Sequence, residues 1–298
     1  MTDKLRVTVR GTVFVLFLLS FTSFIVLAGG ESGAESTRVR NLITKADRVA
    51  REARTDVRTE DRLKKAIGLY QDVLELDPDN RHALNRLSLG YFTLAEAYLP
   101  GPKERKSAYQ TGYKYGLRSL RQNEKFAAQY RKKESKALKD LHESVDDVEA
   151  VFWTGANLGR LGETKGVLNS LGDLPALIEL NRRVAELDET YLGGAAHRTL
   201  GSIAGELLSR LPLTFWQVQT NGFSWDKVKG RFERAIELGP ECLENYFSYA
   251  KYYALKKGKR EMAEELLDKV LGDPLGEEYP LVNTIAKEKA RKLKRDKF

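Results

Sequence analysis

Two prolines, Pro240 and Pro274, stand 34 residues apart, and each closes a run of helical spacing. Val228, Phe232 and Ala235 lie three or four apart and lead into Gly239-Pro240-Glu241. Met262, Leu266 and Lys269 or Val270 repeat the spacing and lead into Asp273-Pro274. An earlier run, Ala66, Tyr70 and Val73, ends the same way at Asp77-Pro78-Asp79. A small residue lets two helices approach, an aromatic fills the groove between them, and a proline ends the helix because it lacks an N–H and disfavours helix in the residue before it. A period of 34 residues is that of the two-helix tetratricopeptide repeat, so the chain is constrained to pairs of helices piled on one another.

A first helix should follow each such stop. Leu84, Leu87, Ser88 and Tyr91 follow Pro78, and Tyr246, Tyr249, Ala250 and Tyr253 follow Pro240, each set on one helix face. The tyrosine stripe is read as core. The expected fold is all-α, a tetratricopeptide-like antiparallel helix-pair stack (an α-solenoid) over residues 38–298. Helices are expected near 38–56, 60–77, 80–99, 103–122, 124–141, 144–161, 173–188, 195–210, 225–238, 241–257, 259–271 and 281–296. No run of period-two alternation is long enough for a sheet. Two segments depart from the pattern: 101–141, read as a basic helical insertion, and Leu211–Trp225, whose Pro212, Asn221 and Gly222 suggest a loop.

The N-terminus sets the compartment. Lys4, Arg6 and Arg10 precede 20 charge-free residues, Gly11 to Gly30, that end in small residues. These are the parts of a secretory signal with cleavage after Ala28, and also of a retained anchor over about 11–28, since about 20 apolar residues span a bilayer. Either way the positive flank stays inside and the body is exported, which makes the expected location periplasmic. Lipidation at the leader needs a thiol, and position 30 is Gly. Residues 29–37, rich in Gly, Ser and Glu, read as a flexible tether.

Net charge is +8 and unevenly spread. Lys103–Lys139 holds 12 Lys/Arg against 3 Asp/Glu, and Lys287–Phe298 holds 7 against 2. Such runs are solvated faces, or surfaces for anionic lipid or an acidic partner. No nucleic-acid motif accompanies the charge, so nucleic acid is not an expected partner.

Little in the chain suggests catalysis. The three histidines, His82, His142 and His197, are far apart, and the single cysteine, Cys242, lies among apolar residues, so neither a metal nor a cofactor is expected. No phosphate loop or nucleophile elbow occurs. Gly193-Gly194 reads as a helix C-cap and turn. Trp153, Asn157 and Arg160 fall at i, i+4 and i+7 on one helix face, as core and structural hydrogen bonds or as the lining of a ligand channel. His197 and Arg198 open a helix, with a structural hydrogen-bonding role or one in binding an anionic group. Phe215 and Trp216 lie in the loop region and either pack back or contact a partner.

Several segments together resemble one family. They are Ala66-Ile-x-x-Tyr with its Asp77-Pro78 stop, Tyr113-Lys-Tyr-Gly-Leu-Arg-Ser-Leu120, Phe152-Trp-Thr-Gly-Ala-Asn-Leu-Gly159, Asp188-Glu-Thr-Tyr-Leu-Gly-Gly-Ala-Ala-His-Arg-Thr-Leu-Gly201, and Arg231-Phe-Glu-Arg-Ala-Ile-Glu-Leu238 with Pro240 and Asn245. The chain resembles the T-components of tripartite ATP-independent periplasmic (TRAP) transporters. The resemblance implies a non-enzymatic periplasmic helical protein with an internal cleft or pore. It also implies a trimeric assembly, the solute-binding P-component as partner, and a small organic solute. Two features depart from the family: the lipid-bearing cysteine is missing, and the loop after Pro212 has one Gly where many members are Gly-rich. The alternative is a generic envelope tetratricopeptide scaffold without a transport role.

Overall fold

The computed structural model describes residues 21–53, 59–166 and 168–298. Among them the chain is all-α, without a strand. The helices are α1 (Phe21–Glu52), α2 (Glu60–Leu76), α3 (Arg81–Ala97), α4 (Pro102–Leu120), α5 (Glu124–Lys132), α6 (Glu134–Ala137), α7 (Val148–Lys165), α8 (Leu174–Leu187), α9 (Tyr191–Leu208), α10 (Phe215–Asn221), α11 (Trp225–Leu238), α12 (Leu243–Tyr249), α13 (Arg260–Gly272) and α14 (Pro280–Lys297). A π turn, Ala250–Ala254, continues α12. Most of the leader read over residues 1–28 lies outside the described residues. Among those described, no helix is long and apolar enough to cross a membrane. The Gly29–Ser36 segment, expected as a tether, is carried inside α1, where the Thr37 hydroxyl donates to the Gly33 carbonyl at 2.9 Å. Extending a helix already anchored by Val39, Leu42 and Ile43 against the core costs far less than starting one.

Local chemistry fixes most helix ends. Asn80, Asn123, Asp147 and Ser224 each accept a backbone N–H three residues on and so cap α3, α5, α7 and α11. Pro102 and Pro280 occupy first turns, where a missing N–H costs nothing. α2, α11 and α13 stop just before the Pro78, Pro240 and Pro274 turns. Two expected helices change. The span 124–141 breaks at Lys133, whose backbone is extended, and the bend brings Ala137, Leu138 and Leu141 into the core beside Leu117 and Phe126. The loop over 211–225 contains α10, seated by the buried Val218.

Helices pack mainly on their neighbours in chain order: α1 on α2, α2 on α3, α3 on α4, then α4–α7, α7–α8, α8–α9, α9–α11, α11–α12, α12–α13 and α13–α14. Thus α4, inside the segment read as an insertion, sits in the pile between α3 and α7. The core is segmented accordingly. Ala66, Tyr70, Val73, Ala83 and Leu87 fill the α1–α3 end. Val228, Phe232, Tyr249 and Tyr253 fill the α9–α11–α12 region, with Phe232 stacked on Tyr249 at 5.3 Å. In α13 the buried face is Ala263, Leu267 and Val270, one residue round from the Met262 and Leu266 positions that the spacing suggests.

Gly205 lets α9 touch the π turn. A Cβ there would lie 2.2 Å from the Tyr252 carbonyl oxygen. The obstacle is backbone and cannot rotate away, so Gly205→Val is expected to cost about 1–3 kcal/mol through overpacking. A fall in the thermal midpoint with unchanged helix content would show it.

Candidate functional site

Trp153, Asn157 and Arg160 share one face of α7, and that face is directed into the body. Trp153 is buried, with its ring 5.5 Å from Phe92 and 4.8 Å from Phe152. Asn157 is fully buried where α3, α4 and α7 meet. Its Nδ2 donates to the Ser88 carbonyl (3.1 Å), the Ser88 hydroxyl (3.2 Å) and the Trp153 carbonyl (2.8 Å). Its Oδ1 has no hydrogen-bond partner among the described residues and lies against Gly112, where a Cβ would come within 2.5 Å.

One turn on, Arg160 grips Glu96 of α3 with two donors, Nε to Oε1 at 2.9 Å and Nη2 to Oε2 at 3.0 Å. This fork-on-carboxylate pairing is the strongest a guanidinium makes. Its Nη1 donates to Glu163 at 2.9 Å. Glu96 also accepts the Tyr109 hydroxyl of α4 at 2.5 Å and lies 3.3 Å from Lys289 Nζ on α14. Lys289 in turn reaches Glu244 of α12 at 3.4 Å. A single ionic cluster thus joins α3, α4, α7, α12 and α14. Burial opposes the charged form of Glu96, but Arg160, Lys289 and the Tyr109 hydrogen bond outweigh it and hold the carboxyl at about 2.

His197 and Arg198 sit elsewhere, behind a left-handed turn. Leu192, Gly193 and Gly194 have φ of 49°, 63° and 74°, a conformation that glycine adopts without penalty. This is the turn that the Gly-Gly pair suggests; it kinks the first residues of α9, and the regular helix runs on from Ala195. His197 Nδ1 faces Arg231 Nη1 at 2.9 Å and Nε2 faces Glu189 Oε1 at 2.8 Å. A guanidinium only donates, so Nδ1 accepts and Nε2 carries the proton. Burial, aided by Arg231 and Arg234, lowers the imidazole's pKa despite Glu189, so the ring is neutral at pH 7. Arg234 closes on Glu189 with two bonds of 3.0 and 2.7 Å. Arg198 Nη1 donates to Asn245 Oδ1 at 2.6 Å and lies 3.6 Å from the Sγ of Cys242, a buried thiol whose pKa burial raises. Among the described residues, no ion pair joins this group to the Arg160 cluster; the two meet only where the Glu244 backbone bonds the Cys242 thiol.

Phe215 and Trp216 open α10 and are 46% and 76% exposed, with rings 5.7 Å apart. Leu211 and Leu213 beside them are also exposed, while Thr214 between them is buried and donates to the Leu207 carbonyl at 2.5 Å. A cavity of about 370 Å³ lies between α4, α6, α7 and α8, lined in part by Tyr113, Lys133, Leu138, Leu158 and Asp173. Trp153, Asn157, Arg160, His197 and Arg198 do not line it.

Residues 60–298 match the family described as TRAP transporter T-component. This chain belongs to that family. The match begins with α2 and runs through α14, so every residue of both clusters lies within it and α1 does not. No curated protein matches the sequence. T-components are accessory parts of a transport system, which points to the cell envelope. Among the described residues of this T-component, no group of three or more His, Cys, Asp or Glu is placed to hold a metal ion. Sequence reasoning missed Glu96 and Lys289. The available signal for Glu96 was that it is the one acid in the 17 residues of α3, close to the apolar Leu94 and Ala95.

Proposed function

We propose that this T-component works on the periplasmic side of the cytoplasmic membrane, docks the solute-binding P-component of its TRAP system and handles a solute alongside it. The exposed run Leu211, Leu213, Phe215 and Trp216 carries this reading. Single exposed apolar residues are ordinary, but four within six positions, held out by the buried Thr214 and Val218, form a patch that water disfavours. Adjacent Phe and Trp rings are the side chains most suited to anchor a protein interface. The leader's basic-then-apolar order supports the compartment.

Co-purification with a TRAP solute-binding P-component from the same cell, at low salt, tests the reading. The wild-type chain is expected to retain its partner, and Phe215→Ser with Trp216→Ser to weaken capture at least about tenfold, the loss of roughly 1.4 kcal/mol or more from an interface anchor. Both side chains face solvent, so folding stability should move by less than about 0.5 kcal/mol. Absence of capture by the wild-type chain would remove the docking role and leave a scaffold without a transport partner. Capture untouched by the double substitution would place the interface elsewhere on the surface.

A further inference from the structure

The basic segment presents a surface whose charge is little neutralised. Of the twelve Lys and Arg side chains between Lys103 and Lys139, all but the half-buried Arg118 are exposed. Among the described residues, none of the twelve lies within 4.0 Å of a carboxylate. Cations elsewhere are commonly paired, as at Arg160, Lys165, Arg183, Arg210, Arg234, Lys256, Lys269 and Lys294. On α4 and its C-terminal cap, Lys103, Lys106, Lys114, Arg118 and Arg121 recur at three-, four- and eight-residue steps and so form one stripe along the outer face, opposite the buried Ala108, Gly112 and Leu120. The extended Lys133 then turns the chain, and Lys132, Lys133, Lys136 and Lys139 add exposed charge across the short α6.

We propose that this face, α4 with the α5–α6 corner, rests on an anionic phospholipid surface. Two properties favour lipid headgroups over an acidic protein. Eight of the twelve cations are lysines, and none of the large exposed apolar side chains falls within this segment. Protein interfaces are poor in lysine and are built round buried aromatic or apolar anchors, which are missing on this face. An array of phosphates needs no anchor and no fixed geometry, and mobile ammonium groups suit it. Where the leader is retained as an anchor, it also raises the local concentration of bilayer at this face. The contact is electrostatic, without inserted side chains, so salt should release it. It is independent of P-component docking, which uses the opposite chemistry at Phe215 and Trp216.

The test uses the full chain, with vesicles of phosphatidylcholine alone and of phosphatidylcholine with equimolar phosphatidylglycerol. Any contribution of the leader is common to both. Binding is expected to be stronger on the anionic vesicles, by about fivefold for each cation engaged, with the increment abolished at high salt. A triple reversal, Lys106→Glu, Lys114→Glu and Lys132→Glu, should remove the phosphatidylglycerol increment, at least about tenfold, with an unchanged far-ultraviolet spectrum and unchanged P-component capture. Equal binding to both vesicles would overturn the proposal, as would an increment that the triple variant retains. Loss of P-component capture with vesicle binding intact would overturn it too, and would assign the face to an acidic protein.

Discussion

Asn245→Ala is expected to lower folding stability by about 3–5 kcal/mol, enough to unfold a large fraction of a marginally stable chain at moderate temperature. Asn245 is fully buried, and one carboxamide ties three segments together. Nδ2 donates to the carbonyls of Gly193 (3.0 Å), Ala235 (2.8 Å) and Gly239 (3.0 Å), while Oδ1 takes the Arg198 guanidinium. The left-handed α8–α9 turn lies directly on the end of α11, and a Cβ on Gly239 would meet Gly193 Cα at 2.5 Å. Water cannot replace the lost amide in so close a contact, so alanine removes the side-chain bonds to three buried carbonyls, two of which (Ala235 and Gly239) keep only a backbone N–H, and strands the Arg198 guanidinium by taking away a charge-assisted bond. Asp should be no better. It keeps an acceptor for Arg198 but turns a carboxylate oxygen towards three carbonyls. Urea unfolding followed by far-ultraviolet dichroism measures the loss. A midpoint within error of wild type for both variants would show that the turn is held by its glycine backbone alone.

What the sequence made legible, and what it did not, divides by the range of the interactions. Ends of α2, α11 and α13 were readable because Pro78, Pro240 and Pro274 act on their own neighbours. The α7 face was readable because Trp153, Asn157 and Arg160 recur at helical spacing, and the turn at Gly193-Gly194 because glycine is the residue that accepts its φ. By contrast, Lys289 and Glu96 meet across 193 residues, and no local pattern in either helix announces the other. Lys289 sits among six other cations of the C-terminal run and reads there as solvated charge. The break at Lys133 escaped for a related reason. It serves the burial of Leu138 and Leu141 against α4 and α5, whereas the local propensity of 124–141 favours one continuous helix.

Arg160→Leu should be as damaging as the loss of Asn245, and its cause can be separated by pH. Removing the guanidinium leaves Glu96 mostly buried with only Lys289 as a counter-charge, and stranding one member of such a pair typically costs about 3–5 kcal/mol. Glu96→Gln should cost less, since the amide keeps the shape and can still accept from Arg160 and Tyr109. The sign of the acid response follows from Glu96 itself. Its carboxyl is depressed from 4.5 to about 2 in the folded chain, so its stabilising contribution is fully present above about pH 4.5 and is lost as pH falls towards 2. That contribution amounts to about 3 kcal/mol. Between those pH values the wild type should therefore lose stability faster than Glu96→Gln, by up to about 1.4 kcal/mol per pH unit, and the two curves should converge in acid. Parallel curves would mean that Glu96 titrates alike in the folded and unfolded chain. The tie of α3 to α4 and α7 would then rest on apolar packing of Ala95, Tyr109 and Leu161 rather than on charge.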